Sequence, residues 1–372
     1  MKRGWPLAST ATDLRQLGHA GLDSRTLRTR FLARLERLIP FDTAWFAICD
    51  PATLLFTDAI RQDMPHSSTP RFVEDEFLLD DFNKWTQLTS AQCHAQSLFA
   101  ATGGDLQASY RWREILEPLG LADELRVALV TGSTCWGFIC LHRGSGTRNF
   151  TSEDASDLNS LGPLLADGLR TSLLLNAGGS SIEEAGVLVL AADLSINGMS
   201  ARAERWLAEI SDDDWPSMRE LPPVVLAVAG KLRSSPVGSP MVESASARLR
   251  TRTGVWLMVR AFRLDSGAAA GQTAVVLAPA APVEVAAVIM DAYALTQRER
   301  ELTGLVLRGL STKQLGAALQ ISQLTVQQHL KSIFDKTGVR SRRELASQVF
   351  ATQYQPNLAA GRRVGPGGYF DG

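Results

Sequence analysis

Between residues 296 and 344 the chain carries four closely spaced helix-start signals, which leave it little choice of local structure. Thr296 with Glu299, Ser311 with Gln314 and Ser341 with Glu344 each pair a hydroxyl with a Glu or Gln three residues later. That spacing lets each side chain bond the other residue's backbone N–H and open a helix. Ser322 is a fourth start, although Thr325 is not the usual partner three residues on. Gly309 and Gly338 stand where helices end. The first helix buries Leu302, Leu305 and Val306, and the second offers Leu315 and Leu319. In the third, Val326, Leu330, Ile333 and Phe334 recur every three or four residues and form an apolar stripe. Gln327, Gln328 and Lys331 fall on its other face. Packing explains the first set; the second needs a partner outside the protein.

Charge points to that partner. The whole chain is nearly neutral, at −1, but residues 295–352 hold nine basic and four acidic residues, or +5. Residues 1–294 carry −7. A small basic module on an acidic body is the pattern expected of a nucleic-acid-binding tail on a sensor.

The tight turn at Gln320-Ile321 joins the second and third helices as in a helix-turn-helix, whose second helix enters the major groove. The amides of Gln327 and Gln328 are suited to adenine, and Lys331 to guanine or a phosphate. Ser322 and Thr325 stand at the helix start beside free backbone N–H groups and are candidates for phosphate. Lys313, Arg340, Arg342 and Arg343 are further phosphate candidates. A polar face that merely meets water is the ordinary alternative for an isolated amphipathic helix.

The run LTQREREL…LVLRGLSTKQLGAAL-QIS-QLTVQQHLKSIFDKTGVRSRRELA resembles the LuxR-type helix-turn-helix over about 55 residues. That family's pattern has L-T-x-R-E, G-x-S, I-S-x-x-T-V-x-x-H-L-x-x-I and K-x-G-V-x-[NS]-R. The resemblance implies a DNA-binding domain of four helices and places Gln327, Gln328 and Lys331 in the groove. Relatives often have a basic residue where Gln327 stands, so no relative's operator carries over. The resemblance also implies that the fourth helix, with Leu345, Val349 and Phe350, mediates dimerisation; packing within the module is an equal alternative.

Upstream, a helix from Ser24 with Leu27, Phe31, Leu35 and Leu38 on one stripe precedes a buried strand, TAWFAICDP. SYRWREILEPLG reads as helical. Two apolar runs around Gly132-Ser133 form the clearest hairpin signal. A long helix follows, with Thr151 as its N-cap. Its leucines, including Leu158, Leu161 and Leu165, are spaced to meet the first helix or the same helix of a second subunit. GVLVLAADLSINGMSARAERWLAEI reads strand, turn, strand, helix. A helix at LPPVVLAVAGKLR, strands meeting through Thr253-Gly254, one more strand and a short helix complete the body. No internal repeat is evident in the sequence.

Residues 24–175 resemble a GAF domain and residues 183–280 a divergent PAS domain, in which Ser200-Ala201 replaces the usual Asn-Pro. The expected architecture is therefore multidomain α+β. It has an N-terminal segment (1–23), two antiparallel-sheet sensor domains (24–175 and 183–280) separated by a linker (176–182), a connecting helix (281–294), an all-α four-helix LuxR-type domain (295–354) and a disordered tail (355–372).

No phosphate loop, nucleophile elbow, zinc spacing or paired carboxylates occur in a convincing frame, so neither an enzyme, a cofactor nor a metal is expected. The four cysteines form no CxxC pair. Cys93, His94, Cys135, Cys140 and His142 read first as packed or surface residues and only second as redox or haem ligands. Trp45 and Trp136 read as core. Asn83-Lys84-Trp85 starts like a cyclic-nucleotide motif but lacks its Asp-Glu continuation. No signal peptide and no run of about 20 apolar residues is present, so a cytoplasmic protein is expected. The expected function is a dimeric, sequence-specific regulator of transcription that binds double-stranded DNA and answers to a small molecule or partner at the sheet domains. The alternative is a constitutive regulator, or a polymerase-interacting protein, whose N-terminal domains only dimerise.

Overall fold

Residues 24–38 form a helix because Asp23, one position before Ser24, accepts the Thr26 backbone N–H at 2.9 Å and satisfies a donor at the helix start. The computed structural model describes residues 6–65, 68–174, 184–211, 221–234, 244–265 and 270–346. The linker expected at 176–182, the tail from 355, and Val349 and Phe350 lie outside them. Contacts divide the chain into two units, the larger holding both sheets and the smaller holding the helices from Pro282 onward.

In the larger unit, α1 (Leu7–Gly18) and α2 (Ser24–Leu38) precede β1 (Thr43–Cys49) and β2 (Phe56–Gln62). Then come α3 (Thr69–Leu78), α4 (Trp85–Ser90), β3 (Ala95–Ser97), α5 (Leu98–Ala101), β4 (Leu121–Thr131), β5 (Thr134–Gly144) and α6 (Ser152–Leu174). The segment from 52 to 108, which the sequence left without elements, holds β2, α3, α4, β3 and α5. The segment around Trp112 is helical, as expected, but as a π turn at Trp112–Leu116 followed by a 3-10 turn at Glu117–Leu119.

The first sheet runs β2-β1-β5-β4-β3, with every paired neighbour antiparallel. Its central hairpin closes at Thr131↔Thr134, and Gly132 takes the positive φ of 61° that the turn requires. Thr151 and Asp154 start α6 reciprocally, at 2.9 and 3.1 Å. α6 lies across β4 and β5, and α1 and α2 pack beside it. Leu158, Leu161 and Leu165 are at most 1% exposed within one chain. Their partner is this chain's own core, so they have no surface to offer a second subunit. That corrects the dimerisation role given to them from heptad spacing.

Gly137 on β5 explains how closely these layers approach. A Cβ there would lie 2.4 Å from the Ala47 carbonyl oxygen and 2.9 Å from Leu169 Cδ1. Gly137→Ala is expected to destabilise the larger unit by about 1–3 kcal/mol, as other overpacking changes do. A lowered urea midpoint with unchanged slope is the expected readout.

The second sheet comprises β6 (Gly186–Leu190), β7 (Ile196–Met199), β8 (Ser244–Arg250), β9 (Trp256–Leu264) and β10 (Gln272–Pro279), with α7 (Ala201–Ile210) and α8 (Pro223–Arg233). Its order, β7-β6-β10-β9-β8, repeats the first sheet's path (second strand, first, fifth, fourth, third) without a repeated sequence. Ser200 caps α7 by accepting the Ala203 N–H at 3.2 Å. Nearly every residue of α8 is buried, because it packs against both the second sheet and the first sheet's α3 and β2. Asp50, at the end of β1, grips the Arg248 guanidinium of β8 through both its oxygens, at 2.6 and 2.8 Å.

The smaller unit has α9 (Pro282–Ala292), α10 (Gln297–Leu307), α11 (Thr312–Leu319), α12 (Gln323–Thr337) and a helical stretch at 342–346. Its core joins Leu302, Val306, Leu315, Val326, Leu330 and Ile333. Leu305, Leu319 and Phe334 are only partly buried around it.

Candidate nucleic-acid interface and a buried cavity

The position of α12 follows from local chemistry. Gln320 ends α11 in the left-handed region, at φ 54°. Gly316 lets the chain turn back at once, since a Cβ there would lie 2.8 Å from the Ile321 carbonyl oxygen. Ser322 accepts the Thr325 N–H at 3.1 Å, and their hydroxyls meet at 2.8 Å. That pair keeps one O–H free to donate to an anion.

Glu299 fastens α10 to α12, accepting Lys336 Nζ at 2.6 Å and Ser332 Oγ at 2.7 Å. Burial opposes its charge, but the bonds from Lys336, Ser332 and Thr296 outweigh burial and bring its pKa down to about 2. A carboxylate lowered in the folded state stabilises above its unfolded pKa of 4.5, and the effect is lost as pH falls towards 2. Glu299→Gln is expected to cost about 1–2 kcal/mol at pH 7, less than the whole shift because Lys336 is partly exposed to solvent. In chemical denaturation the two proteins should converge between pH 4.5 and 2.

Gln327, Gln328 and Lys331 are exposed on one face of α12. Lys313, Arg340 and Arg343 also reach solvent, and among the described residues Lys313, Lys331 and Arg343 form no ion pair. Arg342 differs from the role read for it. Its guanidinium donates to the Leu310 carbonyl at 3.2 Å and to Thr312 Oγ1 at 2.8 Å, so it is engaged in holding the start of α11. Glu344 likewise bonds the Arg340 N–H at 2.7 Å, not its cap's own, while Ser341 caps as expected at 3.1 Å. Leu345 is 1% exposed in the module's core, which fits the packing alternative. Leu324, passed over in the sequence, is 66% exposed on the same helix.

Residues 293–349 match the model for bacterial regulatory proteins of the luxR family. They form a LuxR-type DNA-binding domain. Two curated relatives each align with a short part of the chain. The monoamine regulon transcriptional regulator of Klebsiella aerogenes is 44% identical over 64 residues, 17% of this chain and 28% of that protein. The putative HTH-type transcriptional regulator in exeN 3'region of Aeromonas salmonicida is 41% identical over 63 residues, 17% of this chain and 32% of that protein. This chain thus covers under a third of either relative. The Escherichia coli SdiA crystal structure aligns with 93% of this chain and 97% of its own, at 12% identity and a TM-score of 0.31, too low to carry an argument. The LuxR-type assignment therefore rests on the C-terminal helices.

The larger unit has a cavity of about 40 Å³ between the first sheet and α3. Trp45, Phe56, Phe72 and Trp85 supply much of its wall. Trp45 lies edge-on to Phe56 at 5.5 Å and is stacked with Trp85 at 6.2 Å. Trp136, by contrast, is 1% exposed, in the core as expected.

Beside the cavity lies a buried charge network. Arg111 donates to Glu124 at 2.7 Å, Asp75 at 2.8 Å and the Phe82 carbonyl at 3.0 Å. Arg126 pairs with Glu76 and Glu124, each at 3.0 Å, and covers Trp85. Burial pushes the Asp75 carboxyl up to about 6 despite the pull of Arg111 and Arg126. Burial also works against the charge on Glu124, but there the same two cations win and hold it well below the usual carboxylate range.

Glu124, Cys140 and His142 bring possible ligand atoms within 4.8 Å of one another. Two guanidinium groups already neutralise Glu124, and burial pushes the Cys140 thiol well up, so this set is poorly prepared for a metal cation. Cys93 is exposed, and the His94 ring bonds the Leu88 carbonyl at 2.8 Å. Lys84 Nζ is buried on the Asp75 carbonyl, which gives the Asn83-Lys84-Trp85 segment a structural role.

Proposed function

We propose that the chain is a sequence-specific regulator of transcription that binds double-stranded DNA through α12, works as a homodimer in the cytoplasm, and answers to a small molecule in the first sheet's cavity. The observation that carries this reading is the exposed Gln327, Gln328 and Lys331 face on the third helix of a LuxR-type domain. Ser322, Thr325, Lys313, Arg340 and Arg343 are the proposed phosphate contacts, and the internally bonded Arg342 is left out. A dimer is favoured because one such helix reads only a half-site, and paired half-sites lie about one helical turn apart. Leu158, Leu161, Leu165 and Leu345 are buried within one chain, which leaves them no surface for a partner, and Val349 and Phe350 lie outside the described residues.

For the effector, the support is the aromatic wall and the pairing of the Arg126 charge beside it with Glu76 and Glu124, with His142 Nε2 3.3 Å from Glu124 Oε1. Such a lining suits a compact, largely neutral molecule and disfavours a nucleotide. Because the cavity is small, an occupant would have to move α3 outward.

Genome-wide occupancy mapping tests the regulatory reading. Sharp peaks sharing an inverted repeat are expected; occupancy without a shared sequence would refute site-specific control. A dimer mass in sedimentation equilibrium at micromolar protein is expected, and a monomer bound to the full inverted repeat would contradict the dimer.

A further inference from the structure

We propose that Leu324 is a specificity-determining residue that reads a thymine methyl group in the major groove. The inference rests on the DNA-reading role of α12 proposed above. Leu324 is the most exposed large apolar residue among those described, at 66%, against 37–42% for Phe99, Val187 and Phe262. Scattered surface leucines are ordinary, so exposure alone decides nothing. Position does. Residues 324, 327, 328 and 331 are spaced i, i+3, i+4 and i+7, so Leu324 extends the Gln327, Gln328 and Lys331 stripe towards the helix N-terminus. All four are exposed.

The N-terminal residues of a recognition helix come nearest the base edges. Leu324 is the second residue of α12, after the Ser322 cap and Gln323. Its partner must differ from those of its neighbours. Gln and Lys side chains find hydrogen-bond acceptors and donors in the groove, but an isobutyl group gains only by covering apolar surface. The major groove offers one apolar group on its floor, the C5-methyl of thymine. Docking Leu324 there removes both groups from water, while a cytosine at that position would leave the leucine against a polar edge. The stripe therefore combines apolar readout of thymine at its leading end with amide and ammonium readout behind it.

The test is selection from a random-sequence duplex pool with the full chain, using wild type and Leu324→Ala in parallel. The wild type is expected to enrich a site with a fixed thymine beside the positions read by the glutamines. Leu324→Ala should enrich the same site with that thymine relaxed. Deoxyuridine, which lacks only the methyl, should then weaken wild-type binding about 3- to 10-fold when placed at that thymine. It should leave binding by Leu324→Ala unchanged. Identical enriched sites for both proteins, or an equal response to deoxyuridine, would overturn the inference while leaving the DNA-reading role intact. No enrichment with wild type would overturn that role, and the inference with it.

Discussion

Replacing Arg111 by methionine is expected to cost the larger unit about 3–5 kcal/mol, the range for removing one partner of a buried ion pair. Arg111 is wholly buried and bonds Glu124, Asp75 and the Phe82 carbonyl. The Asp81 carboxylate also accepts its backbone N–H at 2.8 Å. Without the guanidinium, Asp75 and Glu124 keep their burial and lose a shared cation, while Asp81 loses a cation 3.8 Å away and keeps the backbone N–H. Asp75 already sits near 6, so it is the group that answers by protonating. The loss is therefore expected to be larger at pH 7.5 than at pH 5. Adding Asp75→Asn should return part of the stability, because it removes one uncompensated charge. Urea unfolding of the single and double variants at both pH values checks all three statements. A loss under 1 kcal/mol at pH 7.5 would mean that water or Arg126 substitutes for Arg111.

The second large effect is on DNA. Gln327→Ala/Gln328→Ala/Lys331→Ala is expected to lower affinity for the selected site about 10²- to 10⁴-fold, from about 1–3 kcal/mol for each amide contact together with the lost lysine. All three side chains are exposed, so stability should change by less than about 0.5 kcal/mol. The slope of affinity against salt should fall by about one counterion if Lys331 meets a phosphate, and less if it meets guanine. Fluorescence anisotropy on labelled duplex measures both. A variant that still binds within about 3-fold would place the reading surface elsewhere.

The two ends of this chain differ in how much they reveal as sequence. The C-terminal helices are legible because their causes are local: caps three residues apart, a glycine or left-handed residue at each end, and a stripe with helical spacing. The central hairpin and the N-cap at Thr151 were readable for the same reason. The charge network was not. Asp75 lies on α3, Arg111 just ahead of the π turn and Glu124 and Arg126 on β4, and each alone looks like a surface residue. Elements between 52 and 108 escaped because their apolar residues answer to tertiary neighbours and show no clean period. The stripe of Leu158, Leu161 and Leu165 was correctly seen as apolar but given two partners, since spacing names a buried face without naming what covers it. Arg342 was grouped with its neighbours by charge, and only the structure shows the Leu310 carbonyl that occupies it. Leu324 could have been found by stepping three residues back from Gln327. Its apolar side chain sets it apart from the polar residues that signal base contact.

Gly230 sets a rule for domain exchange. A Cβ at this position of α8 would lie 2.7 Å from Val73 and 3.0 Å from Phe77, both on α3. The same α3 contributes Phe72 to the cavity wall. A chimera that grafts a foreign first sheet onto this second sheet must therefore supply a helix whose outer surface fits the bare backbone at 230. Fusion boundaries placed between 175 and 183 would separate α8 from the α3 surface it fits. Functional hybrids should be recovered when the two sheets are exchanged as a pair.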